Sequence, residues 1–158
     1  MNDPRIDTTI VLPDGRRLSY AEYGEASGQP VFLFHGNPGS RFEWMRVADP
    51  ATMRGVRAIA PDRPGFGRSD FQPGRTHLDW AGDVAALADT LGIDRFSIIA
   101  FSSGGAHGIA CALELSARVD TLGLISCVAP LDVPRAFEGM TAANTRDLKL
   151  ARWSSALS

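Results

Sequence analysis

A chain that passes from a strand-like apolar run into a helix within a residue or two has few folds open to it. The stretch Arg95 to Ala112, RFSIIAFSSGGAHGIACA, does this. Ser97 to Phe101 forms the apolar run, Ser102 and Ser103 lead into two glycines without a spacer, and Ile109 to Ala112 continues as a helix. In so tight a turn the residue at the tip takes a strained backbone conformation, and the residues two before and two after it crowd together. For Ser102 those neighbours are Ala100 and Gly104, both small; for Ser103 the first would be Phe101, whose ring has no room there. Ala100 to Gly104 thus reads as small-x-Ser-x-small, a turn that presents a serine hydroxyl, with Ala where Gly is usual. A serine that only caps a helix is the other reading of these residues. Gly104, Gly105 and Gly108 each cost the helix about 1 kcal/mol relative to Ala, a cost that close approach to the sheet would explain.

Two other stretches bear on the same turn: Val31 to Ser40, VFLFHGNPGS, and Ile59 to Asp70, IAPDRPGFGRSD. With His35-Gly36-Asn37-Pro38, the Asp-x-x-Gly-x-Gly-x-Ser loop Asp62 to Ser69, and Ala100 to Gly104 in that order, the chain resembles the serine-nucleophile branch of the α/β-hydrolase family. The resemblance runs from about Thr8 to about Asp132. It implies an α/β fold: a three-layer, mostly parallel sheet with an N-terminal antiparallel hairpin, here lacking the last strands. It implies Ser102 as nucleophile, with the backbone amides of Asn37 and Ser103 as the oxyanion hole. The implied activity is hydrolysis of an ester, amide or similar acyl substrate, with no cofactor. An attacked carbonyl develops negative charge on its oxygen, which is why such chemistry needs preorganised donors. Asn37-Pro38-Gly39 is also readable as a plain tight turn. His35, at the end of a buried strand, reads as structural. So does the Asp62 to Asp70 loop with its adjacent opposite charges Asp62 and Arg63, although Phe66 lining the pocket is an alternative.

In chain order, Thr8 to Leu12 and Arg16 to Tyr23 flank Pro13-Asp14-Gly15 and predict an antiparallel hairpin at the sheet edge. Val31 to Phe34 and Arg57 to Ala60 predict buried strands, with helical spacing over Phe42 to Arg54 between them. A helix starting at Thr76 or His77 follows, with Leu78, Ala81, Val84, Ala85, Ala88 and Leu91 on one face and Gly92 as its stop; His77 reads as a solvated first-turn residue. Strand and helix alternate, which predicts parallel strands with helices on both faces. Leu122 to Val128 predicts the last strand and Thr141 to Leu157 a helix. Cys111 and Cys127 read as small buried residues in a helix and a strand, with no disulfide or metal pattern.

The 158 residues and their 44% hydrophobic share suffice for one core. A balance of 16 basic and 18 acidic residues, without a basic cluster, argues against nucleic acid as a partner. Met1 to Thr9 is polar, and no apolar run approaches the roughly 18 residues of a membrane span, so no membrane partner and a cytoplasmic location are expected. Members of the family continue past this point through a helical lid into strands carrying a catalytic acid and then a histidine. Residues 1–132 are accordingly expected to be the N-terminal part of the core and 133–158 the start of a lid. No histidine follows His107, which reads as packed or solvated and directed away from Ser102. Asp132 reads as a pocket residue. Hydrolysis by this chain is therefore expected to be impaired, the alternative being a non-catalytic module that binds a small molecule or a protein. Asn37 also suits a dehalogenase, but those enzymes and epoxide hydrolases carry Asp where Ser102 stands. The unfinished edge at Leu122 to Val128 predicts self-association.

Overall fold

Alternation along the strands sorts the apolar residues onto two faces of one sheet. The computed structural model describes residues 7–46 and 55–155. The chain divides into two compact units, Met1–Val128 and Ala129–Ser158. In the first unit, six strands lie in the order β1-β2-β4-β3-β5-β6. They are β1 (Thr8–Val11), β2 (Arg17–Gly24), β3 (Gln29–Phe34), β4 (Val56–Pro61), β5 (Phe96–Phe101) and β6 (Val119–Ile125). The β1–β2 hairpin is antiparallel, with Thr8 opposite Tyr20, and β2 runs antiparallel to β4. The pairs β3–β4, β3–β5 and β5–β6 are parallel. The predicted hairpin thus lies at one edge of the sheet, where Gly15 takes φ 88° to close its turn.

Leu18, Tyr20, Phe32, Phe34, Ile59, Phe96, Ile98 and Ala100 point to one face and pack on α1 (Asp79–Thr90) and α2 (Gly104–Glu114). α1 contributes Trp80, Val84 and Leu87 to this core, and α2 contributes Cys111. Residues one position along, Ala21, Tyr23, Leu33, Ala58 and Ala60, face the other way and form a second cluster with Trp44 from a 3-10 turn, Arg41–Arg46. The helices α1 and α2 therefore share one face, and this turn covers the other. Of the helical spacing predicted over Phe42 to Arg54, the described part is that 3-10 turn; the remainder lies outside the described residues.

The boundaries differ from expectation at two elements. α1 begins at Asp79 rather than at Thr76 or His77, because the Asp79 carboxylate accepts both the backbone N–H (2.6 Å) and the hydroxyl (2.8 Å) of Thr76 and holds the preceding turn outside the helix. β6 starts and ends three residues before the predicted Leu122 to Val128. Ser126 has φ 47° and breaks the ladder, so Cys127 lies beyond the strand and turns over α2, its Sγ 3.4 Å from the Ala100 carbonyl. In the second unit, α3 spans Ala142–Ser155, and the Thr141 hydroxyl accepts the Asn144 N–H at 3.3 Å as its N-terminal cap.

Candidate active site

Because β4, β3 and β5 are adjacent and parallel, the loops leaving their carboxyl ends lie side by side. These loops are Asp62 to Asp70, His35 to Ser40, and the two-residue turn Ser102-Ser103. His35, Asn37, Asp62, Arg63, Phe66, Ser102 and Ser103 lie on them, and His107 lies in the helix that follows.

Ser102 stands between the end of β5 at Phe101 and the start of α2 at Gly104, in the left-handed region at φ 52°. For a non-glycine residue this conformation costs on the order of 1–3 kcal/mol, and surrounding bonds hold it. The Ser102 N–H donates to the Ile125 carbonyl at 3.0 Å, and its carbonyl accepts from Gly105 N–H at 3.1 Å and Val128 N–H at 3.3 Å. Ser103 has ordinary helical φ −66° and makes no side-chain cap bond to α2. The glycines of α2 explain themselves by contact. A Cβ on Gly104 would stand 2.8 Å from the carbonyl oxygens of Phe34 and His35, one on Gly105 would overlap Cys127, and one on Gly108 would meet Ala100 and Leu122 at 3.0 Å.

The β3 loop comes up against the turn at Gly36, where an added Cβ would stand 3.1 Å from Ser102 Cβ and 3.2 Å from the Phe101 ring. Asn37 follows, exposed. Gly36 is gripped at both ends: its N–H donates to Glu43 Oε2 at 2.6 Å, and its carbonyl accepts from Arg63 Nη2 at 2.7 Å and from His35 Nδ1–H at 2.8 Å. The His35 tautomer follows from its other nitrogen, since Nε2 accepts the Arg63 backbone N–H at 3.1 Å. His35 is fully buried, and burial followed by the nearby Arg63 charge lowers its pKa to about 4, so it is neutral with both ring nitrogens committed.

The loop after β4 is built around its own aspartate. Asp62 is fully buried and pairs with Arg41 of the 3-10 turn, through Arg41 Nη1 and, at 2.6 Å, the Arg41 N–H; it also accepts the Arg68 N–H at 3.1 Å. Gly67, at φ 53°, lies so close that a Cβ would overlap the Asp62 carboxylate. Ser69 closes the loop by donating to the Asp62 carbonyl at 2.8 Å. Asp62 and Arg63 are thus not partners of each other. Arg63, 3% exposed, turns inward to the Gly36 carbonyl, Ser103 Oγ at 3.2 Å and His107 Nδ1 at 3.2 Å. Phe66 lies beneath it, its ring 4.9 Å from Arg63 Cζ and edge-on to His35 at 5.1 Å.

His107 is buried and packs edge-on to His77 at 4.7 Å and to Trp80 at 6.3 Å. Burial first and then Arg63 lower its pKa to about 3, and its Nδ1 is taken by Arg63. His77 is exposed as a residue but rests its ring on His107, so it is more than a solvated first-turn side chain. Asp132 lies in the second unit and is exposed. Among the described residues no group of three or more His, Cys, Asp or Glu is arranged to hold a metal ion, and no helix is long and apolar enough to cross a membrane. The inward turn of Arg63 is the feature sequence reasoning missed. The one available signal was the charge pair Asp62-Arg63, and adjacency in sequence does not say where either side chain goes.

The family model for the alpha/beta hydrolase fold matches residues 29–156, which include all three loops. The chain belongs to the alpha/beta hydrolase fold family. It is 36% identical over 128 residues to a non-heme chloroperoxidase of Streptomyces lividans, covering 79% of this chain and 46% of that protein. It is 33% identical over 124 residues to a 2-hydroxy-6-oxo-2,4-heptadienoate hydrolase of Pseudomonas putida, covering 75% of this chain and 44% of the other. Among solved structures, the epoxide hydrolase CorEH superposes with a TM-score of 0.72 at 30% identity, over 80% of this chain and 43% of that one. The alpha/beta hydrolase chain thus spans less than half the length of each of these relatives. A chloroperoxidase, a hydrolase and an epoxide hydrolase share the part it matches, so membership alone does not select among their reactions.

Proposed function

We propose that this alpha/beta hydrolase chain carries the nucleophile and oxyanion-binding part of a serine hydrolase acting on a small-molecule ester, amide or similar acyl substrate. The observation that carries the reading is Ser102 at φ 52° on the carboxyl edge of the sheet, with the Gly36 backbone against its Cβ. A serine at the turn also argues against the dehalogenase and epoxide hydrolase readings, which call for Asp there. In the proposed reaction Ser102 Oγ bonds to the acyl carbon and gives its proton to a base. The carbonyl oxygen takes up the negative charge between the Asn37 and Ser103 N–H groups. The leaving alkoxide or amine departs with a proton, and water then releases the acid and restores the serine.

The base is the step these 158 residues do not supply well. Of the three histidines, His35 has both ring nitrogens bonded, His107 Nδ1 is held by Arg63, and His77 rests on His107. Those commitments favour low turnover by the chain as it stands, and they lend weight to a second reading, a module that binds a small molecule at the same edge without turning it over. The segment 133–158, with its helix α3, is proposed as the start of a lid. In a dissected serine protease, losing the base costs about 10⁶ in turnover while the oxyanion hole and binding retain about 10³ to 10⁴ over water. Hydrolysis of p-nitrophenyl butyrate by the chain and by Ser102→Ala tests the proposal. The expected result is slow hydrolysis that drops to background in the variant; equal rates would remove Ser102 as nucleophile.

A further inference from the structure

The buried cation of this site has neutral hydrogen-bond partners. Buried charges are normally paired, and the neighbouring buried cation, Arg41, follows the rule with Asp62. Arg63 bonds instead to a carbonyl, a hydroxyl and an imidazole that burial keeps neutral, and its Nε has no acceptor among the described residues. Burial, followed by the Arg75 charge, lowers its pKa to about 10, so it still carries its proton at neutral pH. The Glu43 carboxylate acts on it only through space, and burying a guanidinium without a hydrogen-bonded carboxylate costs folding energy; such costs gather at functional sites.

What Arg63 grips gives the reason. The Gly36 carbonyl and the Asn37 N–H are the two ends of one planar peptide unit. A cation that draws on the oxygen, at 2.7 Å, polarises the N–H at the other end and makes it a stronger donor. The same Nη2 also donates to Ser103 Oγ at 3.2 Å, a residue whose N–H is the other proposed oxyanion donor. Glu43 accepts the Gly36 N–H, which belongs to the preceding peptide, so Gly36 is tied on both sides, to Glu43 through its N–H and to Arg63 through its carbonyl. We propose that Arg63 is the positioning residue of the oxyanion hole: one guanidinium ties the Gly36–Asn37 peptide to Ser103, polarises the Asn37 amide, and leaves its charge for the oxygen that becomes negative. This rests on the proposed role of Ser102, Asn37 and Ser103. Arg63 itself touches no reacting atom.

The test follows the Asn37 and Ser103 amides by ¹⁵N–¹H spectra, and Ser102-dependent hydrolysis of p-nitrophenyl butyrate, in the chain, Arg63→Met and Arg63→Lys. Amides of the β1–β2 hairpin report that each variant is folded. In Arg63→Met the Asn37 amide proton is expected to move upfield and kcat to fall about tenfold, less than the 10² to 10³ lost with a whole donor, with KM within about twofold. Arg63→Lys keeps the charge but reaches one acceptor at a time, and should recover part of both effects. A merely structural arginine would lower both variants' stability without this split. An unmoved Asn37 amide overturns the inference, and so does a moved amide with unchanged kcat. If Arg63→Met does not fold, an Arg63→Lys variant identical to the parent in both readouts overturns it equally. If the parent shows no Ser102-dependent hydrolysis, the reading of Ser102 fails on its own, and the Asn37 amide still decides whether Arg63 polarises that peptide.

Discussion

Gly104 shows how a single missing side chain sets the site. A Cβ there would press at 2.8 Å on the Phe34 and His35 carbonyls, which are backbone and cannot step aside. Gly104→Ala must therefore push α2 away from β3, at a cost of about 1–3 kcal/mol, and it would carry Ser103 away from Gly36. Gly82 is the contrast: it lies inside α1 with open space around its Cβ position, so Gly82→Ala should stabilise by about 0.5–1 kcal/mol. Urea unfolding midpoints of the two variants should move in opposite directions, and a Gly104→Ala as stable as the parent would refute the crowding argument. The same crowding made the Ser102 turn legible in sequence, because small residues at fixed offsets are local information. Arg63 was illegible for the converse reason. Its partners Gly36, Ser103 and His107 lie far from it along the chain and meet it only once three strands are aligned.

At the scale of elements, strands buried on both faces were read closely, while β6 was read three residues late. Apolar content continues through Ser126 to Val128, but pairing stops where Ser126 leaves the ladder at φ 47°. The start was missed because Val119 to Thr121 looks polar, yet Val119 pairs with Phe96. β6 is the outer strand of the described sheet, and its Leu124 (47%) and Ile125 (48%) are exposed. An exposed edge of this kind offers unpaired ladder groups to another strand. The chain is therefore expected to self-associate, with a mass by light scattering that rises with concentration. Leu124→Lys with Ile125→Lys should lower that mass. A parent that stays monomeric over a hundredfold range of concentration would sink this expectation.

For the molecule as a whole, the buried histidines couple folding to pH. His35 and His107 titrate at about 4 and about 3 in the fold, against a usual 6.5, and burial is the largest cause for both. Below pH 6.5 the unfolded chain takes up a proton at each while the folded chain does not, so the unfolded state binds more protons and stability falls as pH falls. Full stability from this source is present above about 6.5 and is withdrawn toward pH 4, at about 1.4 kcal/mol per pH unit for each histidine. The ion-paired carboxylates shift the same way but act lower: Arg17 holds Asp70 at about 2, so its contribution is lost only as pH falls through the usual carboxylate range toward that value. The interval between pH 6 and 4.5 therefore belongs to the histidines. Urea unfolding at pH 7, 6 and 5 should show stability dropping steeply through it. His77 is lowered in the same direction by burial and by Arg63, so in His107→Gln the slope should become shallower without vanishing. A slope equal to the parent's would mean that His107 is not the neutral, buried partner of Arg63 described above.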